Sequence, residues 1–391
     1  MLPGTKRTRL TERASVHLDM ARGLAAVAVL AGHVRGFFFI PYHELARHSP
    51  GLSALYAATA LGHQAVIVFF VLSGFFIVSS IVDSIEEKRW SWRVYLTNRI
   101  VRLSLVLIPA LVLCWIVDHV GMAVKSTAMF YEHQLLFSFS SSIAQLETMR
   151  NFLGNLFYLQ SILVQPFGSD APLWSLSYEF WYYILFPLVL CALLKRSRAS
   201  ARLAYVGLAV IVVWFVGKTI ALYFLIWLLG GAIAVSSVLK WSPVRFAKAN
   251  ALALVPMVIA LGFSVKYPFG FAFGTDVVVA IGFAVWMYCT VGITERKLSA
   301  AYAKLARLLA GFSYTLYLTH LPLVLLLCAF VVHGKLWKPD FLHISYGTAI
   351  AMGAMVIAYA IAQFTEARTA QARNVMLKLL PGKSQPAPAK S

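Results

Sequence analysis

Carboxylates are scarce in this chain. Only 15 of its 391 residues are Asp or Glu, against 34 Lys and Arg, and charged residues of all types make up 13%. Soluble domains carry roughly 25%. At 60% hydrophobic residues and a mean hydropathy of +0.76, the sequence describes a polytopic membrane protein and excludes an ordinary soluble domain. Cysteine is sparse too. Cys114, Cys191, Cys289 and Cys328 all fall inside apolar runs, which argues against a disulfide framework or a metal site. No inverted internal repeat and no appended soluble domain is visible. The net charge of +19 does not imply nucleic acid, because the basic residues cluster in short segments between apolar runs, as topology signals do.

The apolar runs predict an all-α bundle of about ten transmembrane helices, at 18–40, 61–82, 99–121, 172–194, 201–217, 219–238, 249–264, 275–294, 311–333 and 345–366. Most reach the ~17–25 residues that a spanning helix needs; 249–264 is short, and 201–217 is separated from 219–238 only by Lys218. The first run is too long for the core of a cleavable signal and is followed by further spans, so it reads as a helix that itself carries insertion. With ten spans, the segments placed inside hold 25 Lys and Arg and those placed outside hold seven, which puts both termini in the cytoplasm. Residues 1–15 form a basic N-terminal tail, 16–366 the membrane domain, and 367–391 a basic C-terminal tail, Pro/Ser-rich and disordered from about 381. The long outer connection at 122–171 contains Asn151–Gln165, apolar but too short to span, which reads as an interfacial or re-entrant helix.

Polar groups inside these runs mark the candidate site. In LDMARGLAAVAVLAGHV (18–34), Arg22 and His33 are eleven residues apart, within roughly 20° of one helix face and about 16 Å along the axis. With Arg22 at the membrane edge, His33 lies near the middle of the bilayer, where an ionisable group is a functional candidate. Ser73 in FFVLSGFF, Glu179 in LWSLSYEFWYY and His320 in GFSYTLYLTH fall within about 10 Å of the same depth at ~1.5 Å per residue, suggesting one polar chamber. Each also has an ordinary reading. Ser73–Gly74 suits a small-residue helix contact, His320 suits the carbonyls freed by Pro322, and Trp174 with its tyrosine neighbours suits an interfacial belt. Glu179 is harder to dismiss, since a lone intramembrane carboxylate needs a partner or a task. Arg22, Arg99 and Arg102 sit at cytoplasmic ends of the first and third spans, where topology alone would place arginines, yet their planar forks also suit phosphate.

Taken in order, LDMARGLAAVAVLAGHV, FFVLSGFFIV, LWSLSYEFWYYILFPLV and GFSYTLYLTHLPLV resemble the signature segments of the integral-membrane acyltransferase family 3, bacterial O-acyltransferases (chiefly O-acetyltransferases) of surface polysaccharides and related glycans. The Arg-x10-His pattern falls on Arg22 and His33, the WSL-x-x-E segment on Trp174 to Glu179, and the SY-x-x-YL-x-H segment on Ser313 to His320. The third-helix basic pattern is partial: Arg99 and Arg102 match, but Ser104 and Leu105 stand where the family has Tyr-Pro.

The resemblance implies a multi-pass protein of the bacterial inner membrane that takes acyl-CoA, chiefly acetyl-CoA, as donor and a carbohydrate or glycolipid as acceptor, with no metal. Arg22, Arg99 and Arg102 would hold the coenzyme A phosphates. His33 would act as general base or become transiently acylated, with Glu179, Ser73 and His320 in the catalytic group. The acceptor would enter from the outer side past Glu179 and Trp174, and Ser73 and Tyr317 are candidate oxyanion donors. The rival class is a secondary transporter with a polar midplane chamber, which would ordinarily show paired halves.

Overall fold

The computed structural model describes residues 10–124, 141–194, 198–236, 272–293, 298–332 and 335–380, with isolated residues between them. Every regular element among the described residues is helical. The helices are α1 (Glu12–Phe38), α2 (Pro50–Thr59), α3 (Gly62–Glu86), α4 (Trp92–Ala123), α5 (Ile143–Leu146), α6 (Met149–Leu156), α7 (Trp174–Leu193), α8 (Ala199–Val235), α9 (Ala272–Val291), α10 (Ala300–Val331), α11 (Phe341–Phe364) and α12 (Thr369–Leu379). Eight helical stretches among the described residues are long and apolar enough to cross a bilayer. The chain is thus a multi-pass membrane protein, as composition requires.

One of the eight, α8, is two helices. At Gly217 the backbone takes φ 79° and ψ 173°, a conformation open to glycine and strained for residues with a Cβ. Contacts with α7 show that the chain reverses there. The first arm runs antiparallel to α7, with Arg202 Nε donating to the Ala192 carbonyl at 3.0 Å and Phe215 beside Trp181. The second arm runs parallel to α7, with Tyr182 Oη donating to the Ile220 carbonyl at 2.7 Å and Phe186 beside Trp227. The boundary between the two spans read around Lys218 therefore falls at Gly217.

The order of contacts fixes other directions. α1 and α10 lie side by side and parallel: Arg22 meets Ala310, His33 meets His320, and Phe37 meets Cys328. Gly23 makes this approach possible, because a Cβ there would collide with the Leu309 side chain. α3 is likewise parallel to the second arm of α8. Gly74 abuts the Trp227 carbonyl and Gly230 the Val71 carbonyl, so neither tolerates a Cβ, and small residues bring two membrane helices into backbone contact. The starts of α3 and α9 are joined by His63 and Asp276, and Tyr223 of the second arm reaches the same carboxylate. The second arm and α9 thus start on the same side of the bundle. Of the span read at 249–264, Ala249, Ala251, Leu252, Leu254, Val255, Val258, Ile259 and Gly262 are described and all are helical, while the others lie outside the described residues.

The connection from α4 to α7 carries α5 and α6. α6 is turned inside out: Asn151 and Asn155 are buried and donate to the Leu146, Asn151 and Gln165 carbonyls, while Met149, Leu153 and Phe157 are exposed. Of the predicted tails, residues 1–9 and 381–391 lie outside the described residues. Residues 369–379 form α12, which packs on α4 where Arg93 Nη1 donates to the Leu380 carbonyl at 2.9 Å.

Candidate active site

The parallel pairing of α1 and α10 brings His33 and His320 into contact. His33 Nδ1 lies 2.8 Å from His320 Nε2, with the rings 5.0 Å apart and inclined by 27°. His320 is 1% exposed, and its Nδ1 stands 2.9 Å from the Leu316 carbonyl. A carbonyl only accepts, so His320 Nδ1 carries a hydrogen. In the neutral ring Nε2 is then an acceptor, and His33 Nδ1 must donate to it. This assignment follows from the hydrogen-bond chain and leaves His33 Nε2 with a lone pair.

Ser73 and Glu179 also meet, through the crossing of α3 and α7. Ser73 Oγ donates to Glu179 Oε1 at 3.0 Å, Tyr183 Oη donates to the same oxygen, and Trp227 Nε1 donates to Ser73 Oγ at 3.2 Å. The four polar groups thus form two separate pairs: Ser73 and Glu179 line one cavity and His33 another, with His320 buried behind His33. The difference is one of azimuth: depth along a helix follows from residue count, but which neighbour a side chain faces depends on the packing.

The first cavity, of about 300 Å³, is lined by Asp19, Arg22, Ser73, Arg99, Arg102, Glu179, Tyr183, Ser313 and Tyr314, among others. Arg22 Nη2 donates to Asp19 Oδ1 at 3.3 Å and the Ala310 carbonyl at 3.2 Å, while its Nε is buried without a partner. Arg99 lies over the Tyr95 ring and donates to Ser80. Glu179 therefore lines the same cavity as the arginines and not the one that His33 lines.

The second cavity, of about 350 Å³, is lined by Gly32, His33, Arg35, His63, Pro172 and Trp174, among others. Val66 and Tyr317 line both cavities and so form the partition between them. Tyr317 is held there by Ser175 Oγ at 2.7 Å and the Pro172 carbonyl at 3.1 Å. In this conformation the hydroxyl hydrogen of Ser73 is committed to Glu179, and Tyr317 already sits in a closed set of hydrogen bonds. Neither presents a free donor for an oxyanion.

Three residues of the second cavity and its wall escaped the sequence reading. His63 Nε2 lies 2.9 and 3.0 Å from the two oxygens of Asp276, which is 1% exposed and also accepts from Tyr223 Oη at 2.5 Å. Arg35 lies over the Tyr56 ring at 5.4 Å. Asp276 carried a usable signal, since it is a lone carboxylate in the apolar run DVVVAIGF, the same argument that singled out Glu179. Among the described residues no group of three or more His, Cys, Asp or Glu side chains is arranged to hold a metal ion.

Comparison with known proteins adds the chemistry. OatA, an O-acetyltransferase of Staphylococcus aureus (strain NCTC 8325 / PS 47), is 24% identical over 338 residues, covering 74% of this chain and 53% of the relative. An uncharacterized protein of Haemophilus influenzae is 30% identical over 138 residues, 34% of this chain and 50% of the relative. The chain spans about half the length of the curated relatives it matches. No solved structure matches it significantly. The family model Acyl_transf_3, described as an acyltransferase domain, matches residues 16–363, a stretch that holds every site residue described above, and the chain therefore belongs to this acyltransferase family.

Proposed function

We propose that this protein is a membrane O-acyltransferase that moves an acyl group, most simply acetyl, from cytosolic acyl-CoA to a hydroxyl of a cell-surface or exported glycan, in the cytoplasmic membrane of a bacterium. The observation that carries the reading is the histidine chain. His320, tied to the Leu316 carbonyl, orients His33 so that its basic Nε2 is left free on a ring lining the second cavity.

The first cavity is the donor side. Arg22, Arg99 and Arg102 are three guanidiniums around one opening, and guanidinium forks match the oxygens of the coenzyme's phosphates. The excess of basic residues in the segments read as inner loops turns this opening to the cytosol in a ten-span bundle with both termini inside. The pantetheine arm then runs toward Ser73 and Glu179, with the thioester carbonyl at the Val66–Tyr317 partition. The second cavity is the acceptor side, where Trp174 offers an aromatic face to a sugar.

In the transfer, the acceptor hydroxyl gives its proton to His33 Nε2 while its oxygen bonds to the thioester carbonyl carbon. The resulting imidazolium is stabilised by donating from Nδ1 to His320. Collapse of the tetrahedral intermediate breaks the carbon–sulfur bond, and the proton passes from Nε2 to the departing thiolate. A two-step variant, in which Nε2 itself attacks the thioester and the acyl-imidazole then meets the acceptor, uses the same atoms. A rapid-quench search for acylated His33 in the absence of acceptor separates the two.

Membership of an acyltransferase family weighs against the transporter alternative. His33→Ala is expected to reach the membrane at the parental level and to lose about 10²–10⁴-fold in acyl transfer, the usual contribution of a general base, or more if His33 is acylated. The check is mass analysis of O-acetyl groups on the surface glycans of cells making either form. Parental acetylation in the His33→Ala cells would refute the assignment.

A further inference from the structure

The second cavity contains a charge that the described residues leave unbalanced. Arg35 belongs to its wall, beside His33. Its Nε is buried without a hydrogen-bond partner, and no ion pair among the described residues includes it. Its guanidinium rests on the face of Tyr56, whose own hydroxyl donates to the Ile40 carbonyl at 2.7 Å. The carboxylate behind this cavity, Asp276, is already engaged by His63 and Tyr223.

A guanidinium stays charged in proteins and presents five donors in a rigid fork. Held beside lipid, such a group ordinarily pairs with an anion or marks a substrate path. The cation–π contact with Tyr56 offsets part of the cost of its partial burial but satisfies none of its N–H groups. An arginine near a helix end could instead snorkel to the headgroups, but this one belongs to the wall that also carries the free His33 nitrogen.

We propose that Arg35 is an anion subsite of the second cavity, and that the acceptor is a glycan bearing a carboxylate or phosphate on the acylated sugar or on its immediate neighbour. This rests on the reading of the second cavity as the acceptor side. The planar fork accepts two oxygens of one anion side by side, which fixes the sugar's orientation as well as its charge. With the anion anchored at Arg35 and the ring against Trp174, the remaining freedom is which hydroxyl faces His33. A neutral glycan would leave the buried Nε of this half-buried guanidinium without a partner.

Two measurements test this. The first identifies the acceptor by comparing glycans from cells making the parent and His33→Ala. An acetylated sugar that carries a carboxylate or phosphate, or adjoins one that does, supports the subsite, and an acceptor neutral at both positions overturns it. No acetyl difference between the two strains would instead remove His33 from the transfer, and with it the acceptor-side reading of the second cavity on which the subsite rests.

The second uses that extracted glycan with acetyl-CoA and purified enzyme, both in phospholipid nanodiscs and in dodecyl maltoside, which has no phosphate. Arg35→Gln is expected to raise KM for the glycan at least tenfold in both media, with KM for acetyl-CoA unchanged, and Arg35→Lys to recover some of the loss. An unchanged glycan KM in Arg35→Gln overturns the proposal. So does an effect confined to nanodiscs, which would assign the guanidinium to a lipid headgroup.

Discussion

At the scale of single residues, the site is a matter of which nitrogen holds a hydrogen. His33 alone, a neutral imidazole among apolar side chains, would have no fixed tautomer. The Leu316 carbonyl, four residues before His320 on α10, sets His320, and His320 sets His33. His320 is thus a positioning residue, and its loss should cost less than loss of His33. His320→Gln keeps an amide oxygen that can accept from Nδ1, whereas His320→Leu keeps none. We expect His320→Leu to lower kcat by about 10²–10³-fold, within the range for general-base loss, with KM for the donor unchanged, and His320→Gln to recover at least tenfold of that. Steady-state kinetics on both variants check this, and equal rates for the two would mean that His320 acts through its bulk alone. The individual residues were legible in the sequence because a titratable group in an apolar run stands out. Their pairing was not, since His33 and His320 are 287 positions apart and nothing in one sequence says which helices are neighbours. His63 and Arg35 were missed because both sit near span ends, where a polar residue attracts no notice.

At the scale of elements, two features depart from ordinary amphipathic logic. α6 buries asparagines and exposes Met149, Leu153 and Phe157, a pattern that would be unstable in water and suits a helix whose outer face lies in lipid. Single spin labels at 149 and 153 are expected to be more accessible to oxygen than to a water-soluble nickel chelate, and a label at the buried position 151 to neither. Accessibility to nickel at 149 and 153 would place the helix in water. Asn151–Gln165 was visible as an apolar segment of intermediate length, but its inverted face depends on side chain to backbone bonds that composition does not reveal. Next to it, the Glu147 side chain is 3% exposed, close to Asp118, and its Oε2 lies 3.0 Å from His119 Nδ1. Burial first, and the Asp118 charge second, push its carboxyl up to about 7 from an ordinary 4.5. The folded form thus binds a proton more tightly than the unfolded form, so this group stabilises the fold at low pH, and its contribution falls as the pH rises from about 4.5 through 7. Glu147→Gln, which stays neutral, should flatten that region of the profile. Thermal unfolding in detergent at pH 5 and pH 8 measures it, and an unchanged pH slope in the variant would discount Glu147.

At the scale of the whole molecule, two cavities approach each other from the Arg22 side and the Arg35 side and share only Val66 and Tyr317 among their lining residues. Helix directions were largely legible, since apolar runs and alternating basic segments predict the reversals seen between α7 and the two arms of α8. Division into two chambers was not, because it depends on how Tyr317 is tethered to Ser175 and Pro172, residues brought together by the crossing of α7 and α10. The division has a chemical use. A thioester beside a free imidazole nitrogen is exposed to hydrolysis whenever water occupies the acceptor cavity, and a closed partition limits that loss until an acceptor displaces the water. Widening the partition should therefore uncouple the reaction. In Tyr317→Ala both the ring and its tether vanish, whereas Tyr317→Phe keeps the ring and loses the bonds to Ser175 and Pro172. We expect Tyr317→Ala to release at least tenfold more coenzyme A per acetyl group transferred than the parent, with Tyr317→Phe between them. Thiol release and glycan acetylation, measured on the same purified sample, give the ratio directly. A ratio equal to the parent's in Tyr317→Ala, at any overall rate, would mean that the two cavities are kept apart by something other than this side chain.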